Sequence, residues 1–129
     1  MPDSGDFTET RFEKVAQETW DELPAEFREI VGNLVIRVVD FADRETLDVM
    51  GIDSPFDLLG LYHGVGLPFK SVHDVPHGPD MIFLYRLPIL RYARQEGEDV
   101  DEVIRHVLIH EVGHHFGFSD DDMDAIEAS

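Results

Sequence analysis

The chain has 129 residues, no cysteine and a formal net charge of −18, so disulfides and thiolate metal sites are excluded. A hydrophobic content of 43% with nine phenylalanines is typical of a globular protein, and the length favours one domain over residues 1–129. Because a strongly acidic surface repels phosphate groups, nucleic acid and anionic membranes are disfavoured as partners.

The N-terminal segment is polar and acidic, "MPDSGDFTETRFEKV", and has neither the basic nor the apolar region of a signal peptide. No apolar run approaches the roughly 18 residues that span a bilayer. We therefore expect a cytoplasmic protein with no membrane partner. The acidity is explained by solubility, or alternatively by attraction of basic peptide substrates.

The first half of the chain predicts two amphipathic helices. Residues 7–20, "FTETRFEKVAQETW", space their apolar side chains as a helix does, with Phe7 and Thr8 placed as hydrophobic staple and N-cap. The second helix lies in "LPAEFREIVGN", where Pro24 suits the first turn and Gly32 suits the end.

A strand follows these helices. Residues 33–41, "NLVIRVVDF", are rich in β-branched side chains and predict a strand with a buried face. Residues 42–51 favour one or two helical turns. Residues 57–68 contain a short strand among glycines, with Leu58 to Tyr62 as its strongest part, and residues 70–80 have the composition of a loop.

The last third predicts one strand and two helices. Residues 81–88, "MIFLYRLP", form a strong strand pattern, and Pro88 begins a helix that Gly97 ends. Residues 98–117 are the longest helical pattern and carry a wide apolar face. The fold class is therefore α+β, with a small mixed sheet of about three strands packed against long helices.

The end of this last helix carries the sequence "HEVGHHFGFSD". His110 and His114 are four residues apart, so on a helix they lie on one face and their imidazoles can converge on one metal ion. Glu111 lies about 100° around the helix and is placed to reach a water on that metal. Gly117 permits the chain to turn back, and Asp120 can then supply a third ligand.

The pattern is H-E-x-x-H-x-x-G-x-x-D, on a helix followed by a glycine, which is the context that this motif requires. Two neighbouring carboxylates, Asp121 and Asp122, are alternatives for the third ligand, although spacing favours Asp120. A solvated polar helix end is the competing interpretation of the whole segment. A metal site is favoured, since burying these histidines against an apolar face without partners would be costly.

These residues resemble the bacterial zincin-like metallopeptidase family, a set of minimal single-domain proteins. The segment "HVLIHEVGHHFGFSDDDMDAIE" carries the most specific similarity, and "LLGLYHGVGLP" and "IFLYRLPIL" also fit the family pattern. The resemblance implies a small sheet with the active-site helix packed against it. It also implies zinc held by His110, His114 and Asp120, with Glu111 as the catalytic base.

The function predicted from motif and resemblance is a zinc-dependent metallopeptidase-like hydrolase, in which a metal-activated water attacks a peptide bond with Glu111 as general base. The partner is then a peptide or protein substrate. One alternative is a metal-dependent endoribonuclease-like RNA-processing protein, which Glu111 and the −18 charge disfavour. A second alternative is a non-catalytic binding module that zinc stabilises.

Other polar residues are weaker candidates. His106, one turn before His110, is either a neighbour of the site or a histidine at the edge of the core. His115 is expected to point elsewhere, with a packing or a surface role. The remaining histidines and three tyrosines are cleft or oxyanion candidates that more often have solvated or core roles: His63, His73, His77, Tyr62, Tyr85 and Tyr92. The strand at 81–86 is either an edge that binds a peptide backbone or an internal strand.

Overall fold

The computed structural model of the protein describes residues 7–64 and 80–115, together with Gly117 and Asp121. Five α-helices and three β-strands lie in these residues. In chain order they are α1 (Glu9–Glu22), α2 (Ala25–Val31), β1 (Leu34–Val39), α3 (Arg44–Met50), β2 (Gly60–His63), β3 (Asp80–Tyr85), α4 (Arg86–Glu96) and α5 (Val100–His115).

Local side-chain chemistry explains where the helices begin. The Thr8 hydroxyl accepts a hydrogen bond from the backbone N–H of Arg11, which confirms Thr8 as the predicted N-cap of α1. The Asp43 carboxylate accepts from the N–H of Thr46 at 2.7 Å and caps α3 in the same way. Each cap satisfies an N–H that has no acceptor inside its helix.

The predicted helix at Pro88 begins two residues earlier, at Arg86. Pro88 is the third residue of α4, where a missing N–H costs nothing because the first turn has no intrahelical acceptors. The strand expected around Leu58 to Tyr62 is likewise displaced, since its ladder with β3 starts at Gly60. A short 3₁₀ turn, Pro55–Asp57, occupies the residues before it.

The three strands form one mixed sheet in the order β1-β3-β2. β1 is parallel to β3, with Leu34 opposite Asp80, and β2 is antiparallel to β3, with Gly60 opposite Leu84. The predicted α+β fold with a small mixed sheet is therefore confirmed. Because β3 is the central strand, residues 81–85 have a strand on each side, and the alternative in which the stretch 81–86 binds a peptide as an edge strand is wrong.

One face of the sheet carries the main core. Ile82 and Leu84 of β3 are fully buried among side chains of α1 and α5, and Phe12 of α1 is also fully buried there. Among the described residues, α5 supplies more buried residues than any other helix. They are Val103, Ile104, Val107, Leu108, Ile109, Val112 and Gly113.

The opposite face of the sheet carries a smaller cluster. Tyr85 of β3 packs there with Leu47 of α3 and with Leu58, and Phe83 is partly buried against them. Alternate residues of β3 therefore belong to different clusters, as the two-residue period of a strand requires. Within the described residues, no helix has the length and apolar character needed to cross a membrane.

Candidate metal centre

The C-terminal end of α5 places His110 and His114 one helical turn apart. His110 is half-buried and His114 is exposed, and their ring centroids lie 5.9 Å apart with the ring planes at 83°. Two imidazoles that bind one zinc ion through nitrogens at about 2.0–2.1 Å have centroids about 5–6 Å apart. The donor set and spacing of these two histidines therefore fit a single metal ion.

Glu111 lies on the side of α5 that meets β2. Its carboxylate accepts a hydrogen bond from the backbone N–H of Tyr62, and the side chain is half-buried. Burial raises the pKa of Glu111 above its ordinary value, and the bond from Tyr62 and the nearby His114 oppose this shift. A carboxylate with a raised pKa is a stronger proton acceptor, which is the property that a general base requires.

Gly60 allows α5 to approach the sheet this closely. A Cβ atom at position 60 would lie 2.7 Å from Cγ1 of Val107, 3.1 Å from the Phe83 carbonyl oxygen and 3.5 Å from Cγ of Glu111. A glycine inside a strand often marks such a close approach of another element. The sequence carries this signal, because Gly60 lies within the predicted strand, but a glycine alone does not show which element approaches it.

Tyr62 joins β2, β3 and α5. Its buried hydroxyl donates a hydrogen bond of 2.7 Å to the Asp80 carboxylate, which is only 3% exposed. Its ring stacks on His115 with centroids 4.0 Å apart and planes at 21°. Burial, together with Asp80, raises the pKa of Tyr62. The hydroxyl is thus engaged with Asp80, and the aromatic ring supports the helix next to His114.

The family is decided by residues 31–129, which match a family model described as zincin-like metallopeptidase. The chain belongs to the zincin-like metallopeptidase family. The match runs from the last residue of α2 to the C-terminus and includes the whole of α5. Membership suggests a zinc metallopeptidase-like function and implies zinc binding. A comparison with curated proteins gives no match.

The third ligand of a zincin-like site is predicted to be Asp120, which lies outside the described residues together with the alternative Asp122. Gly117 is described and has φ of 76°, the left-handed conformation expected at the end of the helix, and its N–H bonds to the His114 carbonyl oxygen at 3.2 Å. Asp121 is exposed. Among residues 7–64 and 80–115, with Gly117 and Asp121, no group of three or more His, Asp or Glu side chains is placed to hold a metal ion.

The other candidate histidines and tyrosines of this zincin-like chain differ in burial and in their contacts with the site. His106 is exposed and stacks on His110 with centroids 3.9 Å apart, so it is a neighbour of the site. His115 packs on Tyr62, as expected. Tyr85 is buried, with its pKa raised to about 12 chiefly by burial, whereas Tyr92 is 39% exposed.

Three candidate histidines and one residue that the sequence did not indicate remain. His63 is exposed at the end of β2, and His73 and His77 lie outside the described residues. Asp80 was not recognised from the sequence, because it closes a segment with loop composition and nothing local marks it as buried. Only the pairing of β3 with β2 brings it next to the hydroxyl of Tyr62.

Proposed function

We propose that this chain is a zinc-dependent metallopeptidase that hydrolyses a peptide bond with Glu111 as general base. His110, His114 and Asp120 would hold the metal. The observation that carries the proposal is the position of Glu111. Its half-buried carboxylate is fixed by the backbone N–H of Tyr62, on the same helix as two histidines whose spacing suits one ion.

Each group in the proposed site has a separate chemical role. Zinc, when bound, would lower the pKa of water and stabilise negative charge on the substrate carbonyl oxygen. The Glu111 carboxylate accepts a proton from the attacking water and later donates it to the leaving nitrogen. The bond from Tyr62 holds that carboxylate in position before the substrate arrives, so little reorganisation is needed during the reaction.

Asp120 as third ligand gives the site one negative charge more than a third histidine would. Such a site should hold zinc firmly while making it a weaker Lewis acid. Exchange of Asp120 for His is expected to keep the metal and to change the rate of hydrolysis. Unaltered kinetics together with unaltered metal content would remove Asp120 from the ligand set.

The decisive experiment combines metal analysis with cleavage of a peptide library. The wild-type protein and the Glu111→Gln variant should contain equal zinc, while only the wild type cleaves. Loss of zinc is expected for His110→Ala. A matched control is Glu13→Gln on the exposed side of α1. It removes the same charge at a position far from Glu111 in the sequence, and it should leave zinc content and cleavage unchanged. Equal cleavage by the wild type and Glu111→Gln would overturn the proposal.

Nucleic acid is not a partner in this proposal, because the net charge of −18 opposes phosphate binding. A gel-shift assay at modest salt with single-stranded and duplex RNA tests this point. The expected result is no shifted band. A shift that weakens steeply with added salt would instead support an RNA-processing function for the same metal centre.

A further inference from the structure

A cleft of about 460 Å³ lies beside α5, one turn before His110. Its apolar lining comes from Leu59, just before β2, and from Val103 and Val107 of α5, both of which are almost fully buried. Its polar lining includes Glu98, at the turn between α4 and α5, and Glu102 in the first turn of α5. The cleft therefore combines an apolar wall with two carboxylates.

The cleft adjoins the proposed metal centre. His106 lines it, and the ring of His106 stacks on that of His110 with centroids 3.9 Å apart. A helical turn advances by about 5.4 Å, so the cleft begins about one side-chain length from His110. A group bound in the cleft can belong to a peptide whose backbone reaches the metal centre.

The charges around the cleft favour a cation. Glu98 and Glu102 are exposed, and within residues 7–64 and 80–115 neither carboxylate has an ion-pair partner. The guanidinium in the lining belongs to Arg105, whose Nη1 lies 3.4 Å from a Glu22 carboxylate oxygen on α1. Tyr92 of α4, 39% exposed, adds an aromatic ring to the wall, and such rings attract cations.

We propose that this cleft binds a lysine or arginine side chain of the peptide substrate, next to the bond that is cleaved. The inference rests on the proposed peptidase function. The aliphatic part of the side chain would lie on Leu59, Val103 and Val107, and its charged end would meet Glu98 and Glu102. Long basic side chains commonly bury their methylene groups on apolar surface while the charge stays at the rim.

The test compares end-blocked peptides that differ at one position, which carries lysine, its neutral analogue norleucine, or glutamate. The position is moved along the peptide on both sides of the scissile bond. For the zinc-loaded wild type, lysine at one position should raise kcat/KM about tenfold or more over norleucine, and glutamate should lower it. The same order is expected for equilibrium binding to Glu111→Gln, which provides a readout independent of cleavage.

Two double variants assign this preference to the cleft. Glu98→Gln with Glu102→Gln should reduce the lysine preference to about twofold or less, and Glu98→Lys with Glu102→Lys should reverse it towards glutamate. Glu9→Gln with Glu13→Gln on α1 changes the net charge by the same two units as the glutamine pair in the cleft and should retain the preference. This control separates the cleft from the general attraction of a chain with a charge of −18.

The outcomes separate the two proposals. Cleavage with no lysine preference, or with a preference that the Glu98 and Glu102 variants leave unchanged, overturns the cleft assignment and leaves the peptidase function in place. Lysine-selective binding to Glu111→Gln, lost in the cleft variants but without cleavage by the wild type, supports the cleft and overturns the proposed hydrolysis.

Discussion

Replacing Gly60 by alanine should destabilise the protein, although the same replacement at an unrestricted strand position is usually harmless. The new Cβ would lie 2.7 Å from Cγ1 of Val107, about 1 Å inside ordinary carbon–carbon contact. Overpacking of this kind costs about 1–3 kcal/mol. The lower entropy of the unfolded alanine chain offsets about 0.4–1 kcal/mol of this. The expected net loss in the free energy of unfolding is about 1–2 kcal/mol.

A double-mutant cycle with Val107→Ala tests the cause of this loss. Val107→Ala alone removes two buried methyl groups and should cost about 2 kcal/mol, including the cavity that it leaves. In the double variant the alanine at 60 meets no γ-methyl group, so the two losses should sum to about 1 kcal/mol more than the measured loss. Urea unfolding with equal m values provides the measurement.

Two results would refute the argument about Gly60. One is a Gly60→Ala variant as stable as the wild type, which would show that α5 can move away from β2 at no cost. The other is strict additivity in the cycle, which would place the cost elsewhere, at the Phe83 carbonyl oxygen for example. Since relief of the 2.7 Å contact with Val107 would displace α5, which also carries Glu111, the proposed activity should fall in the single variant.

Three further outcomes are expected. Tyr62→Phe should lower the free energy of unfolding by about 1–3 kcal/mol in urea unfolding, because the buried Asp80 carboxylate loses a hydroxyl donor; an unchanged stability would contradict this role. Hydrogen bonds from the side chain and the backbone N–H of Thr46 lower the pKa of Asp43 below its ordinary 3.8, so Asp43 stabilises the fold above about pH 4 and this contribution is lost as the pH falls through the lowered pKa. Thermal melts of wild type and Asp43→Asn should therefore differ near pH 6 and converge in acid, and a gap that widens in acid would reverse the assignment. Zinc at about 100 times its Kd should stabilise the wild type by about 2.7 kcal/mol in thermal melts, and His110→Ala should show little of this effect.

Much of the fold could be predicted from local pattern. The 3.6-residue period located α1 and α5, and caps such as Thr8 fixed where the chain enters a helix. The sequence did not determine which strand is central, because apolar strands with two buried faces look alike wherever they lie in a sheet. The position of β3 depends on its parallel pairing with β1, a contact between segments more than 40 residues apart.

The candidate site divides in the same way. The spacing of His110 and His114 on one helix is a local property, and the sequence contains it. The surroundings of Glu111 are not local: its hydrogen-bond donor Tyr62 is contributed by β2, and Asp80, which accepts a hydrogen bond from the Tyr62 hydroxyl, by β3. A motif therefore predicts which groups share a helix face, while their burial and partners depend on how distant segments meet. The assignment of Asp120 stays a prediction.

Three residues proposed for chemistry, His110, Glu111 and His114, lie on α5, the helix with the most buried residues in the described part of the chain. Amide hydrogens in its buried turns exchange with solvent mainly through large-scale opening of the fold, so a metal held by His110 and His114 would be anchored to the core. Occupancy of that centre would consequently slow deuterium uptake along all of α5 and the strands beneath it, instead of protecting a single turn. The packed core would then keep Glu111 and the two histidines rigid, while the surface around the site would adapt to different peptides.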